Sequence, residues 1–321
     1  MSANVIGKTG VDPSRLKSFL ADPAWVGQPV WMLNILQFKG GHGGDGEASY
    51  NEYLQQQEDL ETDRRIVMKG YARTIIGKEE YHMLTIVEYP SPAAFAAMGK
   101  SDVYAKRNQQ LRLAGLEQQY LIPLRPGFFR LDSPAPQASR PLQSFTPENV
   151  WTTPSGLVGD TAEHSRIGIT SGTQPQSVAF VADTTIGSSN IVWHLNLLRF
   201  SDRGGDSPAG TIYSNYAQRM GRRGGILAQY GARSTLAADC YPSLIGEETF
   251  DRAIVAEYPC RESYLTMGTD PEYIEGCKWR HQGLEATYIV SCVPEFIEPV
   301  RGSFRLAQQQ KYTAAAAAPK L

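Results

Sequence analysis

Apolar positions along this chain fall into short dense runs, and one run occurs twice. Trp31-Met32-Leu33-Asn34-Ile35-Leu36-Gln37-Phe38 returns as Trp193-His194-Leu195-Asn196-Leu197-Leu198-Arg199-Phe200. Runs of this length, rich in β-favouring residues and closed by a Gly-rich turn, predict buried strands. Successive side chains of a strand point to opposite faces. Trp31, Leu33 and Ile35 therefore share a face, as do Trp193, Leu195 and Leu197. Met32, Asn34 and Leu36 take the other, with His194, Asn196 and Leu198. An unsatisfied buried amide costs about 1–3 kcal/mol. An Asn recurring mid-strand therefore points to a face that looks into a cavity.

Further matches follow in order. Pro13 answers Pro175, Tyr50-Asn51-Glu52-Tyr53 answers Tyr213-Ser214-Asn215-Tyr216, and Ala72-Arg73 answers Ala232-Arg233. Glu88-Tyr89-Pro90 answers Glu257-Tyr258-Pro259, and Gly115-Leu116-Glu117 answers Gly283-Leu284-Glu285. Ordered matches of this number imply an internal duplication. Each repeat reads alike. Asp12-Pro13-Ser14 opens a helix over 15–21, with Pro in the first turn. The strand over 31–38 leads into a Gly-rich loop over 39–47, whose counterpart is 201–210. A helix over 50–63, strands over 65–76 and 81–89, and a helix capped by Ser91 come next. A helix over 104–113 ends at Gly115, and a last strand covers 120–124. The order is β-α-β-β-α-β, the split ferredoxin-like unit.

The fold class expected is α+β: two ferredoxin-like repeats, 10–131 and 172–306, packed sheet to sheet as a pseudo-twofold barrel, with a cavity on each inner face. One such unit leaves a sheet face bare, and a second copy buries it. Residues 132–171, dominated by Pro, Ser, Thr and Gly, read as a linker. Residues 307–321 read as a disordered tail. The expected assembly is a pseudo-dimer within one chain, a monomer or weak homodimer.

Composition narrows the partners. The 321 residues are 41% hydrophobic and 20% charged, with a formal charge of −2. That balance describes a globular chain without a basic field for nucleic acid or anionic lipid. No apolar run approaches the roughly 20 residues of a membrane span, so neither nucleic acid nor membrane is expected as a partner. Cys240, Cys260, Cys277 and Cys292 show no CxxC spacing and read as reduced thiols. A polar N-terminus without an apolar stretch gives no secretory signal, and the expected location is cytoplasmic. The terminal Pro319-Lys320-Leu321 is a loose variant of a peroxisomal address, with a frayed tail as the plainer reading.

These residues carry a family likeness. The strand Leu-Asn-x-Leu-x-Phe, the Glu88 to Ser91 step, the Met98 to Tyr104 spacing and Gly115-Leu116-Glu117 resemble the dimeric α/β-barrel superfamily. More narrowly they are similar to the family catalogued as domain of unknown function 1330. The resemblance covers about residues 10–131 and 172–306. It implies units that pair as dimers. Superfamily members include cofactor-independent monooxygenases, isomerases and cyclases of polyketide or aromatic pathways, and haem enzymes. Fold alone does not choose among them.

Candidate chemistry centres on the second repeat. If strand three runs antiparallel beside strand one, His194 falls close to Glu257. A His–Glu pair in an apolar cavity is a general base with its tautomer held by the carboxylate. Asn196 is then the oxyanion donor, and Arg233 the anion clamp. The plainer reading makes His194 a satisfied histidine and Glu257 a solvated strand end. Met32 replaces His194 in the first repeat, which points to an inactive or differently binding first cavity. Asn34, Arg73, Trp193 and His82 complete the substrate-binding candidates, with His82 as a second-choice base. Arg73 and Arg233 read equally as surface strand arginines, and the paired tyrosines as helix-on-sheet packing. Arg112 and Arg280, before Gly-Leu-Glu, read as linker contacts without chemistry. His42, His82, His164, His194 and His281 form no HxH, HxxxH or HExxH spacing, and GxGxxG and GxSxG are absent. No metal and no cofactor are therefore expected. Gly40-Gly41-His42-Gly43-Gly44 reads as a mobile loop or lid.

The reaction expected is cofactor-independent proton transfer on a small apolar or aromatic carbonyl compound, as in an isomerase, cyclase or lyase. Oxygenation of the same enolate, as in a monooxygenase, is the near variant. A non-catalytic small-molecule-binding or stress-related protein is the reading of another class.

Overall fold

The computed structural model describes residues 9–56, 64–77, 79–129, 135–150, 174–186, 190–202, 210–222 and 224–297. Gly204-Gly205, His164, the tail after 306 with its Pro319-Lys320-Leu321, and much of the 132–171 segment lie outside them. The first half runs α1 (Pro13–Ala21), β1 (Val30–Phe38), α2 (Asp45–Gln55), β2 (Arg65–Ile76), β3 (Met83–Tyr89), α3 (Pro92–Lys100), a π-helical turn (Tyr104–Asn108), α4 (Gln109–Gly115) and β4 (Leu116–Phe129). The second runs α5 (Gln174–Ala182), β5 (Val192–Phe200), α6 (Thr211–Gly221), α7 (Ile226–Gln229), β6 (Arg233–Cys240), β7 (Arg252–Tyr258), α8 (Arg261–Gly268), α9 (Pro271–Gly283) and β8 (Leu284–Ile297).

The eight strands close into one antiparallel barrel, in the order β1-β3-β2-β8-β5-β7-β6-β4. Each half contributes four neighbours in the same relative order. The halves join where β2 pairs with β8 and β4 with β6. These seams explain why β4 extends well past the 120–124 read from the sequence. Its second part, Leu124 to Phe129, pairs with Leu236 to Cys240 of the other half. A local pattern cannot announce a partner a hundred residues away, and Pro123 and Pro126 argue against a strand there. Pro126 sits at a register shift, where a missing N–H is tolerated.

The helices start where their caps dictate. Asp12 Oδ1 accepts from the backbone N–H of Ser14 and Arg15, at 2.8 and 3.1 Å, ahead of Pro13. Ser91 Oγ accepts from Ala94 N at 3.2 Å. α2 begins at Asp45, earlier than expected. Asp45 and Glu47 lie in its first turn, where acidic side chains favour the positive helix end. The Gly-rich loop before it holds Gly40, Gly41 and Gly43 at φ of 74°, 80° and 77°, a region that disfavours side chains with Cβ.

The barrel interior is occupied by a continuous cluster of buried side chains. Trp31, Leu33, Ile35, Trp193, Leu195 and Leu197 enter it together with Val67, Tyr81, Tyr120, Val255 and Tyr288. Each such burial contributes about 1.5–3 kcal/mol. The opposite face of each sheet, carrying Met32 and His194, lies under helices. The expected inner-face cavities are therefore corrected: the strands do turn an Asn toward a cavity, but beneath the helices, because the interior is filled by the larger side chains.

α2 and α4 cross closely at Gly46 and Gly115. A Cβ on Gly115 would stand 2.5 Å from Gly46 O, a backbone atom that cannot swing away. Gly115→Ala is expected to lower stability by about 1–3 kcal/mol, as overpacking does. Urea unfolding followed by tryptophan fluorescence measures it, and an unchanged midpoint would show that the helices separate freely.

Candidate functional site

Each sheet encloses a cavity against its own helices, and the two differ. The first-half cavity measures about 270 Å³ and lies between β1, β3 and β4 and the helices α2, α3 and α4. Met32, Phe95, Met98 and Leu121 make its apolar wall, and Tyr50, Tyr53 and Tyr104 border it. Burial raises the phenols of Tyr50 and Tyr53, against the opposing charge of Arg112. They are neutral hydrogen-bond donors at physiological pH.

One wall of this cavity is polar and ordered. Arg112 Nη2 donates to Thr9 O at 2.9 Å and to Gln119 Oε1. Gln119 Nε2 donates to Asn34 Oδ1 at 2.7 Å, and Asn34 Nδ2 donates to Met32 O at 3.0 Å. This relay fixes both amide orientations, since each carbonyl must accept and each NH2 must donate. Arg112 is 7% exposed. Among the described residues no carboxylate pairs with it, and no Asp, Glu or His lines the cavity. A buried cation without a counter-ion is costly. The wall is built for negative charge.

The second-half cavity is smaller, about 70 Å³. His194 and Asn196 both line it, with Tyr213, Tyr216, Tyr264 and Arg280. His194 is 1% exposed and packs among Phe180, Tyr258 and Tyr264. Burial pushes its pKa down to about 3. Asn196 Nδ2 donates to His194 O at 3.1 Å, repeating the Asn34 geometry.

The low pKa of His194 has a stability consequence of defined sign. Above about 6.5 the ring is neutral in folded and unfolded chains alike. Below that, the unfolded chain takes the proton and the folded one does not, so stability falls with pH. Burial lowers His82 as well, in the same direction. The chain is expected to lose stability from about pH 6.5 downward at up to about 1.4 kcal/mol per unit for His194 alone. His194→Phe flattens that slope in urea titrations run at successive pH. A slope identical in both chains would place the proton elsewhere.

The expected His194–Glu257 pair does not form. Across the β5–β7 ladder His194 faces Ala256, and Glu257 faces Trp193. The two therefore point to opposite faces of the sheet. Glu257 turns toward the barrel side, where it accepts from Trp193 Nε1 at 3.2 Å and from Arg233 Nε at 3.1 Å. Trp193, Arg233 and Glu257 form a structural triad away from both cavities. The first half repeats it: Glu88 accepts from Trp31 Nε1 at 3.1 Å and from Arg65 Nη2 at 2.9 Å. Arg233 is thus the counterpart of Arg65, and the sequence match of Ala72-Arg73 to Ala232-Arg233 is out of register.

Arg73 is committed elsewhere. Its Nε donates to Asp183 at 2.7 Å and its Nη1 to Glu80 at 3.1 Å, while Tyr71 Oη donates to Asp183 at 2.6 Å. This network ties β2 to the end of α5. His82 serves the backbone: its Nδ1 accepts from Phe38 N at 2.9 Å, as Asp251 accepts from Phe200 N at 2.7 Å. The Gly-rich loop is not a lid over the first cavity. His42 pairs with Glu47 at 2.7 Å and packs on Tyr71, and no residue of 39–44 lines that cavity. Among the candidates, Asn34 lines the first cavity, and His194 and Asn196 the second.

Sequence reading missed Arg112 and Gln119. The signal was present for the arginine, which recurs as Arg280 just before the Gly-Leu-Glu step. Both are buried, at 7% and 2% exposure. Gln119 gave none, because its counterpart in register is Thr287. Among the described residues no group of three or more His, Cys, Asp or Glu side chains is placed to hold a metal. No described helix is long and apolar enough to cross a membrane.

No family model matches the chain, and no curated protein matches it. Solved structures do overlap it. A protein of unknown function from Rhodopseudomonas palustris is 27% identical, over 37% of this chain and 97% of that one, with a TM-score of 0.32. An anthrone oxidase-like protein is 9% identical, over 87% of this chain and 97% of that one, with a TM-score of 0.47. A variant chlorite dismutase from Candidatus Nitrospira defluvii is 9% identical, over 88% and 95%, with a TM-score of 0.38. The barrel stands on its own strand order; overlaps this loose say nothing of activity.

Proposed function

We propose that the chain is an enzyme that binds a small apolar or aromatic carbonyl compound in the first-half cavity and stabilises its enolate. The observation that carries this reading is Arg112, a buried cation without a carboxylate partner among the described residues, on the wall of an aromatic-lined cavity of about 270 Å³. Its charge and the Asn34 amide favour an oxygen on which negative charge develops. The amide NH2 has two hydrogens, and only one is used, toward Met32 O. The tyrosines are neutral donors and supply the rest of the hole.

Among the described residues no Asp, Glu or His lines this cavity to serve as general base. The site works instead by raising the acidity of the bound C–H, with solvent taking the proton at the mouth. Balanced as a proton transfer, the step is ketone plus water to enolate plus hydronium, and return of the proton to another atom releases the water and completes an isomerisation. This moves the chemistry from the His194 side of the barrel to the opposite half.

Hydrogen–deuterium exchange tests the reading without knowledge of the natural product. Tetralone in D2O is expected to exchange its α-hydrogens faster with the protein than with buffer alone. Asn34→Leu, which removes one donor, is expected to cut the enhancement about 100-fold. Exchange no faster than in buffer for tetralone and for a panel of aromatic ketones would overturn the enzymatic reading.

A further inference from the structure

The second half holds a group of buried polar atoms that the proposed enzyme site does not use. Among the described residues neither ring nitrogen of His194 has a hydrogen-bond partner. Tyr264 Oη and Ser291 Oγ are likewise without one. The Tyr264 ring stands 4.0 Å from that of His194 between centroids, and Ser291 faces His194 across the β5–β8 ladder. All three side chains are at least 97% buried, at 1%, 3% and 0% exposure. More than about nine-tenths of buried polar groups in folded proteins are satisfied. Each exception costs about 1–3 kcal/mol, so four such atoms together point to a ligand.

We propose that His194, Tyr264 and Arg280 form a second, separate site that takes a small oxyanion, a carboxylate or carbonate of about four heavy atoms or fewer. Size sets the upper bound. The cavity of about 70 Å³ offers room for about five to seven water-sized positions at 10–15 Å³ each, too little for an aromatic ring system. Charge sets the sign. Arg280 lines the cavity, and among the described residues no Asp or Glu does. Arginine stays charged at any physiological pH. A neutral imidazole presents one N–H and one bare nitrogen, and the Tyr264 hydroxyl on the cavity wall adds an O–H donor. An oxyanion accepts from all of these. Bicarbonate also carries an O–H, which serves the bare nitrogen.

The two halves thus divide their tasks by one substitution on the repeated strand. Met32 leaves the first cavity wide and apolar, whereas His194 makes the second narrow and polar. Neither site needs the other, so the inference does not depend on the enolate reading.

The test is a titration of the full chain, labelled with nitrogen-15 in its histidine side chains, with formate and with bicarbonate at constant ionic strength. His194 is expected to shift saturably, with a Kd on the order of 1 mM, while the other four histidines stay still. Carbon-13 formate is expected to broaden in the presence of the native chain. That broadening is lost in His194→Phe and weakened in Tyr264→Phe, with native tryptophan emission showing that both variants fold. Three results would overturn the proposal. One is no shift at about 100 mM, a hundredfold above that Kd. Another is the same shift with chloride, and the third is formate broadening that survives in His194→Phe. A cavity that holds only water gives the first of these.

Discussion

Arg112→Met is expected to weaken binding of naphthoate by about 30- to 4,000-fold while leaving the affinity for its neutral methyl ester little changed. Methionine keeps the length and the apolar stem of the arginine and removes only the charge and the donors. Truncating one partner of a buried, hydrogen-bonded charge pair costs about 2–5 kcal/mol. In the native chain the ligand carboxylate would be that partner, because no protein carboxylate fills the role among the described residues. Calorimetry on the two chains with the two ligands gives the four affinities needed. The free protein should suffer little. The variant loses the bonds to Thr9 O and Gln119 Oε1, but it also sheds the desolvation of an uncompensated cation, and the two effects offset. Equal affinity of both chains for naphthoate would mean that the guanidinium is occupied by Thr9 and Gln119 alone. The enolate reading would then lose its electrostatic basis, whereas the oxyanion site at His194 would stand.

The contrast between these two halves was only partly legible in the sequence. The strand Trp-x-Leu-Asn-x-Leu-x-Phe was legible, because alternation along a strand is a local property. Its neighbours followed from the order of Pro, Gly and apolar runs. The split of β1 into a Trp31 face and an Asn34 face was also correct. Which face looks inward was not, since that depends on how a second sheet closes the barrel. The assignment of His194 and Glu257 to one face failed for a one-residue reason. A ladder pairs His194 with Ala256, and a shift of one residue moves a side chain to the other face. Arg73 and Arg233 looked equivalent because each follows an alanine. In the barrel Arg233 lies opposite Glu257, and its counterpart Arg65 lies opposite Glu88. Arg112 was visible as a repeated arginine, yet its meaning rests on what is absent around it, and one sequence cannot show an unpaired charge.

The misplaced carboxylate supports the second prediction. Glu257 is 2% exposed and its partner Arg233 has 13% of its side chain exposed, whereas Glu88 and Arg65 have 17% and 14%. Breaking a buried ion pair from one side costs about 3–5 kcal/mol, because the remaining charge stays desolvated. Glu257→Ala removes the acceptor of both Arg233 and the Trp193 indole. It is expected to lower the melting temperature by roughly 6–20 °C. Glu88→Ala, at the more hydrated copy of the triad, is expected to cost less than half as much, since the Glu88 side chain is 17% exposed against 3% for that of Glu257 and solvent screens its pair more. Differential scanning calorimetry of the two variants ranks them. The same pair separates two roles for the carboxylate. A residue that oriented His194 would alter formate binding when changed to glutamine, with little loss of stability. A residue that closes the barrel by holding Trp193 and Arg233 would do the reverse. The geometry requires the second pattern, and formate affinity in Glu257→Gln that falls while the melting temperature holds would return Glu257 to the histidine's side of the sheet.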